Sequence, residues 1–306
     1  MGNSTTMSNL VVGGRDLPVV PRRHYGRWVS AAVALFILGA LAWGIISAEA
    51  MRWSVVGEYL FAPAVLEGVR NTIYMTILAT LIGVIIGTIV AVMRLSPNPV
   101  LNSLANFYQW FFRGTPTLVQ LIFWFNLSSI IPRIEIPWLG VNLNTNDVMT
   151  PLLASLLGLG LNFGAYYSEI VRAGIMSVDE GQSDAAEAYG LSRFQTLRLI
   201  VLPQAMRVII PPTGNELIGM LKFTSLASVV SYGELLRSVS DIYNQTYQVI
   251  PLLIVASIWY LLMTTILSIG QYFIERRFAR GSSRSAPKSF FDRFTNRSAR
   301  AKAVTA

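Results

Sequence analysis

Six stretches of this chain are too apolar and too long to leave in water. They lie near residues 29–47, 65–93, 104–131, 151–172, 206–230 and 251–275. The hydrocarbon layer of a bilayer is about 30 Å thick, and about 20 apolar residues cross it as a helix. Inside that layer backbone N–H and C=O groups must be paired within the protein, which leaves helices or a closed barrel. Runs of this length select helices. The chain is therefore expected to be an all-α integral membrane protein of about six transmembrane helices. Its composition agrees, with 13% charged residues against about 25% in a soluble domain. The first stretch, AAVALFILGALAWGII, is too long and too late for a simple secretory signal.

Several chemistries are excluded early. The chain has no cysteine, so it has no disulfide framework, thiolate metal site or cysteine nucleophile. No glycine is followed by lysine, so it lacks the loop that cradles nucleotide phosphates. It is not expected to hydrolyse ATP alone. The single histidine, His24, sits in a polar basic leader and is a poor metal ligand or catalyst. No paired carboxylates or nucleophile–base set supports an intramembrane enzyme.

Orientation follows from the Lys and Arg residues, which favour the cytoplasmic side. With the N-terminus inside, eighteen of the 24 fall on cytoplasmic segments, nine of them in the tail from Arg276 to Lys302. The outer loops receive Arg52, Arg133 and Arg237. Both termini are then cytoplasmic, and the net charge of +8 reads as membrane topology, not nucleic-acid binding. The expected divisions are a basic leader over 1–28, an extra helix and outer loop over 29–63, a core over 64–278 and a basic tail over 279–306. The outer loop 132–150 is turn-rich, with Trp138 at an expected membrane interface. Gly83 and Gly87 share one helix face, which permits close helix approach or simply faces lipid.

The segment 173–205, AGIMSVDEGQSDAAEAYGLSRFQTLRLIVLPQA, is too polar to span the membrane and too regular for a slack loop. SVDE at 177–180 fits a capping box that starts a helix running toward Tyr189. Gly190 suits the left-handed residue that ends it. Ser192 with Gln195 offers a second capping box, and the helix that follows is expected to stop at Pro203. Two short helices with a glycine bend make a rigid knob that a groove on another protein could hold.

Asp184-Ala185-Ala186, three residues, Gly190, nine residues, then Ile200-x-Leu202-Pro203 resembles the EAA loop of ABC importer permeases. That pattern is EAA-x3-G-x9-I-x-LP, and only the first glutamate departs, replaced by aspartate. RGTPTLVQ at 113–120, GAYYSEIVRAGIMSV at 164–178 and LKFTSLASV at 221–229 are similar to segments of the polar amino-acid uptake permeases, the histidine, glutamate, glutamine, arginine and opine group. The resemblance runs from about 65 to 278. It implies the type I importer fold with a cytoplasmic two-helix coupling loop. It also implies a dimer of ATP-binding-cassette ATPases, which binds ATP and Mg so that this chain holds no cofactor. Further implied partners are a second permease subunit, an external solute-binding protein and an amino-acid substrate, in a bacterial cytoplasmic membrane. Asp184, Ala185, Ala186, Gly190, Ile200, Leu202 and Pro203 would couple to the ATPase. The rival reading is a stand-alone secondary carrier or channel, which has no need of the knob.

Charges at membrane depth are costly and usually functional. Arg113, Glu216 and Lys222 are such charges, open to two roles: solute contact or pairing between helices. Gly114 and Pro116 are expected to break one helix beside Arg113, and Pro211-Pro212 another before Glu216. Glu169 and Arg172, three apart, suit a local ion pair. The expected solute path also takes in Gly114 and Thr115 at the break beside Arg113, and the resemblance adds Phe223, Thr224 and Ser225, with Lys222 on the solute's carboxylate. Phe223 and Trp110 stand where related chains can carry acids. That argues for a neutral, acidic or amide solute over a basic one.

Overall fold

The computed structural model describes residues 10–12, 15–17, 25–136 and 141–278. His24, Trp138 and the tail from 279 lie outside the described residues. The chain divides into two units between Arg52 and Trp53. The first holds a short antiparallel hairpin, β1 (Leu10–Val12) with β2 (Arg15–Leu17), and helix α1 (Tyr25–Ile46) of 22 residues. At 1.5 Å per residue α1 is about 33 Å long, enough to span a bilayer.

The second unit is built round one pair of helices. Helix α2 (Trp53–Tyr59) precedes α3 (Pro63–Leu95), which starts on a proline and carries Arg94 in its last turn, as the helix dipole favours. Helices α4 (Pro99–Gly114) and α5 (Thr117–Phe125) follow. Next come a hairpin of β3 (Arg133–Ile136) with β4 (Val141–Asn144), the single turn α6 (Thr145–Val148), and α7 (Pro151–Met176). A Cβ added at Gly83 would lie 2.4 Å from Phe163 and 3.0 Å from the Gly160 carbonyl. One added at Gly87 would lie 2.7 Å from the Gly164 carbonyl. Residue 83 meets 160–163 and 87 meets 164–168, so α3 and α7 run parallel with their backbones in contact. The close-approach reading of Gly83 and Gly87 is therefore the right one.

Parallel neighbours require the chain to return between them, and α4 with α5 makes that return. Helix α10 (Leu202–Phe223) packs antiparallel to α7, with Ile209 against Gly174. A 3-10 turn over Thr224–Val230 leads to α11 (Leu235–Thr246) and then α12 (Val249–Phe278). Met75, Ala79, Leu159, Phe163 and Ile209 form the buried centre of one cluster; Val65, Leu221, Leu235, Leu252 and Val255 form another near the opposite end. Glu234, fully buried, caps α11 by accepting from the Leu236 and Arg237 N–H groups and from the Tyr260 hydroxyl.

One local expectation holds and three change. The stretch 104–131 is two helices, broken at Thr115-Pro116 as the glycine and proline there suggested. Helix α10 runs unbroken through Pro211 and Pro212. A proline's φ is already helical, so two adjacent rings remove donors without forbidding the path. Tight packing against α7 and α12 holds that path, and Gln271 donates to the Pro211 carbonyl at 3.3 Å. The first knob helix starts on Asp179, not Ser177: Asp179 accepts from Gly181 N–H, while the Ser177 hydroxyl donates back to Gly174 and closes α7. Pro203 does not stop a helix. The residues before it, Leu197–Val201, form a π-turn, whose wider spacing accommodates the proline ring, and α10 starts at Leu202.

Candidate functional site

The knob lies where α7 ends and α10 begins. It contains α8 (Glu180–Ala188) and the single turn α9 (Arg193–Thr196), which leads into the π-turn. Gly190 joins them at φ +79°, with nothing near a Cβ placed there. Its need for glycine is conformational, not steric. The second capping box is complete: Ser192 accepts from Gln195 N–H at 3.4 Å, and the Gln195 side chain accepts from Ser192 N–H at 2.8 Å. Ala186 is buried at 4% and seats α8 on the rest of the knob. Asp184 and Ala185 are exposed, as is Tyr189 at 88%. Sequence reasoning overlooked Tyr189, a large aromatic beside the bend that buries almost nothing within the chain. Among the coupling candidates Ile200 lies in the π-turn, and Leu202 and Pro203 open α10.

Beside the knob, three helices share one carboxylate. Glu169 on α7 pairs with Arg94 of α3, with Arg172 at 3.0 Å and with Arg113 of α4 at 3.5 Å. Arg94 also donates to Gln109, which in turn donates to Ser168 at 2.6 Å. The Glu169–Arg172 pair was legible from spacing. Arg94 and Gln109 were not, because their partners are distant in sequence. The Arg113 guanidinium lies 5.1 Å from the Tyr166 ring centroid, within cation–π range. Arg113 thus has the interhelical partner that was one of its two readings. Above it, the α4–α5 break is closed by Gln120, which donates to Phe112, Thr115 and the Thr115 hydroxyl, and by Asn162, which donates to Phe112. The Phe111, Phe112 and Thr115 carbonyls at the break are thus paired by side chains, and Gly114 has open space where a Cβ would stand.

Helix α10 carries the other candidates. Gln204, Arg207, Asn215 and Lys222 are exposed and recur at helical spacing. Such a polar stripe on a membrane helix faces water or another polypeptide rather than lipid. Lys222 and Phe223 are exposed, Ser225 is half-buried, and Glu216 is half-buried with no ion pair among the described residues. Thr224 is fully buried and donates to Leu221, so it faces the core, away from the stripe. Trp110 stacks near Phe107, 5.8 Å between centroids, and not on Phe223. The structure groups Glu216, Lys222 and Phe223 on one helix and gathers Arg113 separately with Glu169.

A model of the inner membrane component of binding-protein-dependent transport systems matches residues 83–280, from the α3–α7 seam through the knob to the end of α12. The chain belongs to that family. The permease is 46% identical to the arginine transport system permease protein ArgU of Corynebacterium glutamicum over 275 residues, 89% of this chain and 86% of that one. It is 37% identical to the L-cystine transport system permease protein TcyB of Bacillus subtilis, covering 76% and 93%. Its fold matches a crystal structure described as an amino acid ABC transporter with histidines, at 34% identity and TM-score 0.61, over 71% of this permease and 95% of that chain. The expected all-α importer-permease fold is therefore the right one, and the protein is an integral inner-membrane component.

Proposed function

We propose that this permease forms the path by which an ATP-driven importer takes up a polar amino acid, and that the solute is of the basic class. The observation that carries the first part is the knob. A capped helix, a left-handed Gly190 and a second capped turn hold Asp184, Ala185 and Tyr189 outward at the end of α7, a shape a solitary carrier does not need. An ATPase pair, which supplies ATP and Mg, would grip that surface. A second permease subunit would cover the polar stripe of α10, and an external binding protein would deliver the solute. On this reading the knob and both termini are cytoplasmic.

The solute class rests on Glu216 and Lys222. They stand six positions apart, about 9 Å along the helix and about 120° round it. On this reading Lys222 holds the carboxylate and Glu216, further along and round the helix, the cationic end of an extended basic amino acid. Phe223 and Trp110 had spoken against a basic solute because they supply no counter-charge; Glu216, nearby on the same helix, supplies one. The name of the arginine-system relative supports the same class. The test is competition of labelled arginine uptake, in cells expressing the complete importer, by unlabelled amino acids. Arginine and lysine should compete best, and Glu216→Gln should weaken arginine more than glutamine. Dominant competition by glutamine or glutamate would reject the basic class.

A further inference from the structure

A cavity of about 340 Å³ opens within the knob itself. Its floor is apolar, formed by Ile175, Val178, Leu197 and Val201, from the end of α7, the approach to α8 and the π-turn. Three charged side chains line it: Glu180 and Glu187 from α8, and Arg193 from α9. All three are exposed, and none makes an ion pair among the described residues. Thr196 also lines the wall; it is 6% exposed, and its buried hydroxyl has no hydrogen-bond partner among the described residues. The size lies in the range of small-ligand sites, which combine an apolar lining with a few polar groups.

We propose that this cavity binds a free amino acid of the basic class from the cytoplasm and slows the importer as product accumulates. The inference rests on the reading above of a basic-amino-acid importer with its knob inside. Two carboxylates and one guanidinium complement a ligand with two cationic groups and one carboxylate, and the apolar floor receives its methylenes. Such a ligand bridges α8 to Arg193 across the Gly190 bend. It therefore ties together the two short helices that must move when the ATPase pulls on them. The π-turn in the cavity wall is a form that recurs at functional sites.

The experiment uses the complete importer in proteoliposomes, with ATP inside and the binding protein with labelled arginine outside. Vesicles are preloaded with L-arginine, with L-glutamate or with sucrose. Internal arginine should lower the initial uptake rate severalfold, and internal glutamate should leave it at the sucrose value. Arg193→Gln and Glu187→Gln should each raise the internal arginine needed for half-inhibition roughly three- to fivefold, as losing one exposed charge pair allows, with unchanged rates in sucrose vesicles. Equal inhibition of wild type and both variants, or none in wild type, overturns the proposal. Loss of ATPase association in the variants also overturns it, by assigning the cavity to an ATPase side chain. If wild type shows no ATP-driven uptake even in sucrose vesicles, the importer reading itself has failed, and this inference with it.

Discussion

Glu169 is a single carboxylate that answers three guanidiniums from three helices. Its side chain is 26% exposed and those of its partners are 25–42% exposed, so water screens part of each pair. Glu169→Gln keeps the shape and removes the charge, leaving Arg94, Arg113 and Arg172 to repel one another. The expected cost is about 1–2 kcal/mol, between the values for exposed and buried pairs. It should appear as a lowered thermal unfolding midpoint of the detergent-purified permease. A midpoint unchanged from wild type would show that the cluster is held by other contacts. At Gly190 the left-handed backbone costs a non-glycine residue about 1–2 kcal/mol. Gly190→Val should therefore cut uptake and ATPase association while membrane insertion stays normal; intact coupling in this variant would count against the knob.

At the scale of elements, the α3–α7 seam sets the sharpest steric test. The Gly164 carbonyl beside Gly87 is backbone and cannot swing aside. Gly87→Val should destabilise by about 1–3 kcal/mol, the usual cost of overpacking, and lower the yield of folded permease in detergent. Gly270→Ala, with nothing within 4 Å of the added atom, should not. Much of this level was legible in the sequence. Apolar run length located the membrane helices, the Gly83–Gly87 spacing offered the seam, and Ser192 with Gln195 announced a cap. What stayed hidden depends on partners remote in the chain. Nothing local says that Gln120 and Asn162 will close the α4–α5 break, or that α10 will carry two prolines without breaking. Nor does the sequence around Pro203 reveal that a π-turn will absorb it. Of the candidate site, the residues proposed for coupling were marked by the resemblance to the EAA loop, whereas Thr224 proved to face inward, a matter decided by how the 3-10 turn is packed.

For the whole molecule, the parallel α3 and α7, with α4–α5 returning between them, put the β3–β4 hairpin and the knob at opposite ends. On the charge-based reading of topology the hairpin lies outside. Cysteine introduced into this cysteine-free chain at Asn142, exposed on β4, should react with an impermeant thiol reagent applied to intact cells. Cysteine at Ser283, in the basic tail, should react only after the membrane is opened; the opposite pattern would invert the topology. The seam also has a mechanical consequence. Two rods whose backbones touch at glycines bend as one stiff beam. Helix α7 runs to within four residues of α8, so the knob is the handle of that beam. A push delivered at Asp184 and Ala185 would then travel up to Gly83 with little slack, and the stroke that reaches the far end would be set by rigid geometry.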